Sequence, residues 1–428
     1  MKQYSLFLFS LIFLSCSSPL ETPIDPGGID VTKPNILLVI ADDMGKDATP
    51  NFSEGMIKPN MPTLQSLVNS GITFDNFWSY PVCTPTRASI LTGKYGINTH
   101  VIEVGDPIST AETSLQSYIN SNTNNDYATA IIGKWHLSNN ATDPITMGID
   151  YFAGIVNGGV EDYFNWNFNE NGTASNSTTY TTTKLTDVAI DWVDDQTKPW
   201  FLWMAYNAPH TPFHLAPTDL HSQGNLPTDE ASINANPIPY YMSAIEAMDS
   251  ELGRFLSNLS SEERANTVII FIGDNGTPGK VAQNPYSRLT VKGTLYQGGV
   301  NVPMIVSGVN LSRLGERENS LIHSTDLFAT IANITGVSVS EIQNSKSFYP
   351  QLTSATNDGR SFVYTEIVDG YAIRNATYKL IKYDNGDEEL YNLVQDPYEN
   401  RNLIGTTLSA EATNEKANLI SEAIAIRN

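Results

Sequence analysis

Five short apolar runs, residues 36–41, 128–132, 200–206, 268–272 and 302–306, do most to limit what this chain can fold into. Each is continuous rather than alternating, which is the pattern of a strand buried on both faces, and each reads as a strand of a parallel sheet. Helical patterns lie between them. One covers 61–69 after Pro59-Asn60 and stops at Gly71; others cover 186–193, 240–259 and 326–334, the last stopping at Gly336. Strand alternating with helix predicts an α/β sandwich, a large mixed, mostly parallel sheet with helices on both faces.

The tail has a different texture. Residues 362–367, 371–374 and 378–383 are short strand-like segments, Asp384-Asn385-Gly386-Asp387 is a hairpin turn, and 390–393 continues the pattern. A last helix is expected over 410–426. These pieces predict a small C-terminal antiparallel sheet covered by a helix. The expected division is 34–345 for the large α/β domain and 346–428 for the C-terminal α+β subdomain. Asn and Thr crowd 169–183, which reads as a surface loop.

At the front, residues 1–15 carry one Lys and an apolar run too short to span a bilayer, the form of an export signal. It ends Leu14-Ser15-Cys16, which resembles a bacterial lipobox, so residues 1–16 read as a lipoprotein-type signal segment whose Cys16 is expected to become the lipidated first residue. Residues 17–33, rich in Ser, Pro, Gly and Asp, suit a flexible tether. The expected placement is an exported lipoprotein facing the periplasm or the cell surface of a bacterium, touching the membrane through its lipid alone.

Charge and cysteine count narrow the function. Lys and Arg total 24 against 46 Asp and Glu, a formal charge of −22, which excludes a general binder of nucleic acid or of anionic membrane surfaces. Positive charge toward an anionic substrate must therefore be local. With only two Cys, and Cys16 spent on lipid, Cys83 is alone and no internal disulfide framework is possible.

Polar residues follow the apolar runs. Asp42-Asp43 follow the first, Lys134 and His136 the second, His210 the third, and Asp274-Asn275 the fourth. In an open α/β sheet the ligand site lies outside the carboxyl ends of the strands, so these groups are expected on one edge. Cys83-Thr84-Pro85-Thr86-Arg87, followed by Ala88-Ser89-Ile90-Leu91-Thr92-Gly93, adds a would-be nucleophile and a cation one turn on.

This C-x-P-x-R stretch resembles that of the type I sulfatases of the alkaline-phosphatase superfamily. The likeness extends from Asn35 to the C-terminus through Ala41-Asp42-Asp43, Gly133-Lys134-Trp135-His136, Ala208-Pro209-His210-Thr211-Pro212, Gly273-Asp274-Asn275-Gly276 and Val291-Lys292-Gly293-Thr294. It continues in the tail through Glu389-Leu390-Tyr391-Asn392-Leu393. It departs at Thr86, where many members have Ser. The resemblance implies a sulfuric ester hydrolase. Cys83 would be oxidised to formylglycine (3-oxoalanine) by a formylglycine-generating enzyme. Its hydrate would attack sulfur and then expel sulfate. Asp42, Asp43, Asp274 and Asn275, with residue 83, would hold one divalent cation, Ca²⁺ or else Mg²⁺; an all-oxygen donor set suits such hard ions. Arg87 would hold the formylglycine, Lys134 and Lys292 would clamp sulfate, His136 would assist elimination and His210 would protonate the leaving oxygen.

Export favours a sulfated polysaccharide or oligosaccharide as substrate. Two alternatives stay open at this level: a phosphodiester or phosphonate monoester hydrolase on the same fold, or a non-catalytic glycan-binding surface lipoprotein. Tyr95, Tyr163 and Trp166 offer either a sugar platform or core packing, with packing preferred. His100, His214, His221 and His323 read as structural.

Overall fold

The structure, a computed structural model, describes Met1 and residues 33–356 and 359–428. The expected leader, its Cys16 and nearly all of the tether lie outside the described residues. Ten strands form one large sheet. Across it they run Glu316–Glu318, Gly71–Phe74, Met304–Gly308, Thr267–Gly273, Asn35–Ala41, Trp200–Ala205, Ala128–Lys134, Tyr151–Ile155, Trp166–Glu170 and Thr173–Ser177.

The five strands from Thr267–Gly273 to Tyr151–Ile155 are mutually parallel. The central strand shows why its sequence is continuously apolar. Leu37, Val39 and Ala41 enter the core on one sheet face, and Ile36, Leu38 and Ile40 enter the core on the other. Fully burying each of the larger side chains contributes roughly 1.5–3 kcal/mol. Helices Pro62–Asn69, Thr181–Asp194 and Ile238–Asn258 cover the first face. Helices Cys83–Thr92, Leu115–Asn122 and Asp326–Ile334 cover the second.

Two expectations are corrected. The run at 302–306 becomes Met304–Gly308, which pairs antiparallel with Thr267–Gly273. The chain between them makes only a loop and the short helix Gln297–Val300 at the carboxyl edge, with no crossover back, so it re-enters the sheet from the same edge. The Asn- and Thr-rich stretch is not a loop throughout. Trp166–Glu170 and Thr173–Ser177 form a hairpin, turned by Asn171 (φ +46°) and Gly172 (φ +88°). An Asn-Gly pair fits this turn because both central residues need positive φ.

Four antiparallel strands, Val363–Ile367, Gly370–Arg374, Tyr378–Tyr383 and Glu388–Asn392, make the small sheet. Helix Ala410–Arg427 packs its Ala412, Leu419 and Ala423 on one face of it. The other face, with Val363, Ala372, Ile381 and Tyr391, packs on Trp78, Leu295 and Val300. Phe348 and Leu352 still belong to the core of the large sheet. The small sheet also seats the loop that carries Lys292: buried Lys379 donates to the Leu295 carbonyl at 2.6 Å and pairs with Glu399 at 2.5 Å, while Glu399 accepts from the Gln297 amide at 2.6 Å.

Candidate active site

The carboxyl ends of four parallel strands meet at one edge of the large sheet. Asp42 N–H donates to the Ala208 carbonyl at 3.1 Å and Asp274 N–H to the Ala41 carbonyl at 3.2 Å. These bonds tie the segments after three strands into one floor. Lys134 is the last residue of its strand, and His136 lies two residues beyond. Asp43 (φ +70°) and His136 (φ +56°) both have left-handed backbone, which is uncommon for residues with a Cβ and is held here by the surroundings.

Cys83 is the first residue of helix Cys83–Thr92, which lies wholly buried and ends at left-handed Gly93. Pro85 is tolerated in the first turn, where no intrahelical N–H bond is lost. The helix has no clean apolar face and is held by polar bonds instead. Thr86 Oγ1 donates to the Asp274 carbonyl at 2.8 Å, and the Ser89 and Ser324 hydroxyls lie 2.6 Å apart. Cys83 at the helix N-terminus faces the amide ends, which favour negative charge. Its Sγ lies 3.2 Å from His136 Nδ1. Burial pushes the thiol pKa up, with Lys134 opposing.

One turn on, Arg87 spans the site. It donates to the Lys134 carbonyl at 2.7 Å and to Asp274 Oδ2 at 2.8 Å, and lies 3.5 Å from Asp42 Oδ2. Lys134 Nζ is 2.5 Å from Asp42 Oδ2. Lys292 Nζ bridges both Asp43 oxygens at 2.6 and 2.7 Å. His210 Nε2 is 3.8 Å from Asp43 Oδ2. Asn275 Nδ2 donates to Asp43 Oδ1 at 2.8 Å, and Asp43 N–H to Asp274 Oδ1 at 3.0 Å. The seven residues singled out at the strand ends, Cys83 and Arg87 of the C-x-P-x-R stretch, and Lys292 thus join one connected cluster.

The electrostatics divide the carboxylates. Burial alone would raise Asp42, yet Lys134, with His210, Arg87 and Lys292, holds it well below the usual carboxylate range. Burial and then the Asp42 charge push Asp274 up to about 6. Burial, then Lys134 and Arg87, drive His136 far below its usual value. His210 is lowered mainly by burial. Lys292 is raised, burial being outweighed by Asp43.

This donor set fits a hard divalent cation. Asp42 Oδ1 and Asn275 Oδ1 are buried and have no hydrogen-bond partner, a costly state for such oxygens unless something else satisfies them. Ligand atoms of Asp42, Asp43 and His210 lie within 4.8 Å of one another. The oxygens of Asp42, Asp43, Asp274 and Asn275 could hold such an ion, and suit it better than His210. Imidazole suits softer metals, and His210 Nδ1 already donates to the Thr211 carbonyl at 2.8 Å. Both Asp274 oxygens already accept one bond each, so Asp274 would share an oxygen with Arg87 or the Asp43 amide.

Several residues that sequence reasoning passed over shape the site. Thr84 Oγ1 lies 3.4 Å from each ring nitrogen of His136 and accepts from Gly105 N–H at 3.1 Å. Gly158 and Gly159 follow the strand Tyr151–Ile155 and pass between the two imidazoles. A Cβ on Gly158 would sit 2.6 Å from His136 Nε2, and one on Gly159 3.2 Å from His210 Nδ1. A Gly-Gly pair just after a buried strand was the available signal. Of the aromatic candidates, Tyr163 is buried and stacked on His214 at 3.9 Å, with its hydroxyl 2.7 Å from the His210 carbonyl. Tyr95 packs edge-on against His323 and Tyr364, and Trp166 is buried with Nε1 donating to the Thr179 carbonyl. His100 is exposed and His323 fully buried, both outside the cluster.

Two family models match, one described as sulfatase over residues 34–337 and one as N-sulphoglucosamine sulphohydrolase, C-terminal, over residues 288–425. The chain is 28% identical over 374 residues to the uncharacterized sulfatase YdeN of Escherichia coli, covering 72% of this chain and 63% of that protein. It therefore spans less than two thirds of that relative. It is 23% identical to an ulvan-active sulfatase of Formosa agariphila, covering 93% and 82%. The crystal structure of Ps i-CgsB in complex with k-i-k-neocarrahexaose superposes with a TM-score of 0.75 at 25% identity, covering 91% of this chain and 92% of that one. The large mixed sheet, the small antiparallel sheet and a family model that spans most of the sequence agree: this chain belongs to the sulfatase family.

Proposed function

We propose that this protein hydrolyses O-sulfate esters of a carbohydrate, with residue 83 as formylglycine and one divalent cation on Asp42, Asp43, Asp274 and Asn275. The observation that carries the reading is the placing of Cys83, Arg87, Lys134, His136, His210 and Lys292 around two buried acidic pairs. In the centre, the carboxylates of Asp42, Asp43 and Asp274 face three permanent cations, Arg87, Lys134 and Lys292. The cluster is balanced by itself, so a bound divalent cation would leave it positive, suited to an anionic ester inside a protein of charge −22. The carbohydrate class is supported by similar proteins such as the ulvan-active sulfatase and Ps i-CgsB in its complex with k-i-k-neocarrahexaose.

Formylglycine, once its aldehyde has added water, would carry two hydroxyls on one carbon, one to attack sulfur and one to release sulfate and regenerate the aldehyde, where a thiol supplies a single nucleophilic atom. A divalent cation held by Asp42, Asp43, Asp274 and Asn275 would supply charge neutralisation at an ester oxygen and would acidify a neighbouring hydroxyl. The chain's own groups do the rest. Arg87 holds the floor by gripping Lys134 and Asp274 at once. Lys134, paired with Asp42, and Lys292, paired with Asp43, would balance charge on sulfate oxygens. His136 Nδ1 stands within reach of the reacting atom of residue 83 and can hold its proton. His210, its Nδ1–H bonded to the Thr211 carbonyl, presents Nε2 toward Asp43, and in its imidazolium form, with a proton on each nitrogen, would give the Nε2 proton to the leaving oxygen.

Two measurements test this. Mass spectrometry of the peptide that holds residue 83 reads the lighter formylglycine in place of Cys. Release of free sulfate from a panel of sulfated sugars reads the activity; release from aryl sulfates alone sinks the carbohydrate assignment. We further propose that Cys16 carries lipid and holds the exported protein on a membrane. No helix among the described residues is long and apolar enough to cross one. Partition into detergent that is lost in Cys16→Ala checks the anchor.

A further inference from the structure

Beside the catalytic cluster lies a cavity of about 440 Å³ that the chemistry above does not use. It sits between the loop after strand Tyr151–Ile155 and the hairpin Trp166–Glu170/Thr173–Ser177. Gly159 joins the two sites: it lines the cavity, and an added Cβ there would press on His210. The group bonded to the leaving oxygen therefore has this cavity next to it.

The lining has an unusual chemistry. Six asparagines contribute, Asn139, Asn157, Asn165, Asn167, Asn169 and Asn176, and no Lys, Arg, His or Asp does. The hairpin explains the arrangement. Asn167 and Asn169 alternate along one strand and so share a face, Asn165 stands just before that strand, and Asn176 and Ala174 oppose Asn167 and Asn169 in register. Trp166 and Ile155 give the cavity an apolar back wall. Some amides are engaged: Asn176 donates to Asn165 at 2.9 Å, and Asn169 accepts from Gly172 N–H at 3.0 Å. Among the described residues the side chains of Asn139, Asn157 and Asn167 have no protein partner.

An amide offers donors and an acceptor side by side, which matches the vicinal hydroxyls of a sugar ring. It offers no charge to a sulfate or a carboxylate. The one ionisable group on the wall, Glu161, would repel either. The size falls in the range of sites that enclose small ligands. We propose that this cavity is a subsite for an uncharged sugar ring joined to the ring that bears the scissile sulfate. It rests on the carbohydrate reading above and adds a selection rule: the neighbouring ring is neither sulfated nor a uronate.

The test compares kcat/KM on monosulfated disaccharides having a hexose or N-acetylhexosamine neighbour, on matched disaccharides with a uronate neighbour, and on 4-nitrophenyl sulfate, which has no second ring. Wild-type protein should favour the neutral neighbour. Ala174→Trp, at an exposed hairpin position, fills the cavity and should lower the ratio of disaccharide to aryl sulfate kcat/KM by roughly tenfold or more, mainly through KM. Asn167→Ala, also exposed, should lower it by about threefold. Ratios within about twofold of wild type in both variants, or a wild-type preference for the uronate neighbour, overturn the subsite. If wild-type protein cleaves 4-nitrophenyl sulfate but no disaccharide, the carbohydrate reading itself falls, and the subsite with it.

Discussion

His136 Nδ1 lies 3.2 Å from Cys83 Sγ although 53 residues separate them, and the His136 backbone is turned left-handed to make the approach. The contact joins the N-terminus of a buried helix to the loop after a central strand. It puts the one imidazole whose pKa is driven furthest down in the cluster against the atom proposed to react.

Cys83→Ser should keep the fold, as read by circular dichroism, and lose turnover by more than ~10³-fold. A serine hydroxyl can attack sulfur once but lacks the second hydroxyl that releases sulfate. Steady-state turnover in the variant near the wild-type value would refute the formylglycine role.

Arg87 bridges the Lys134 carbonyl and Asp274 with two nitrogens of one planar group, and it is 1% exposed. A lysine cannot span both. Arg87→Lys should lower unfolding free energy in urea melts by about 2–4 kcal/mol, because Asp274 is left short of a partner in a buried site. Arg87→Ala should cost more.

Gly158→Ala should lower kcat by ~10²-fold with little loss of stability. The φ of Gly158 lies outside the left-handed region, so the backbone accepts alanine; the added methyl instead displaces the His136 ring. A crystal structure of the variant should show that ring shifted.

Added Ca²⁺ should raise the melting temperature, since a ligand bound only by the folded state stabilises it by mass action, about 2.7 kcal/mol at one hundred times Kd. Chelation should reverse the shift. Asp42→Asn should abolish it. A melting temperature indifferent to Ca²⁺, Mg²⁺ and chelator would contradict the assigned ligands.

Asp249 is remote from the cluster and accepts the Thr63 and Leu64 amides at 2.9 and 2.8 Å, capping helix Pro62–Asn69 from another helix. Burial pushes its pKa up to about 6. The folded state therefore holds the proton more tightly than the unfolded chain. Its favourable contribution is fully present below pH ~4 and is lost as pH rises toward ~6, a change of roughly 3 kcal/mol. Asp249→Asn should flatten that part of the stability profile measured by urea melts between pH 4 and pH 7.

Local pattern carried much of this fold. The helix expected over 326–334 is Asp326–Ile334, and the strand over 378–383 is Tyr378–Tyr383, because strong periodicity and punctuating glycine or turn residues set their ends. The direction of Met304–Gly308 was not legible, since an apolar run fully buried on both faces looks alike in parallel and antiparallel pairing. The hairpin at 166–177 was hidden by its own polarity: one of its faces is the asparagine-lined cavity wall rather than core.

The sequence alone determined the chemistry available: which carboxylates, cations and imidazoles end the central strands, and which cysteine stands four residues before an arginine. Tertiary structure decided what those groups do to one another. Only folding brings Arg87 to Asp274 across 187 positions and Lys292 to Asp43 across 249. Only folding passes two glycines between His136 and His210 and opens the cavity beside them. The physical reason is that residue types and strand order are local properties of the chain, whereas charge balance, burial and the space left for a substrate depend on distances between segments that the chain's own order does not contain.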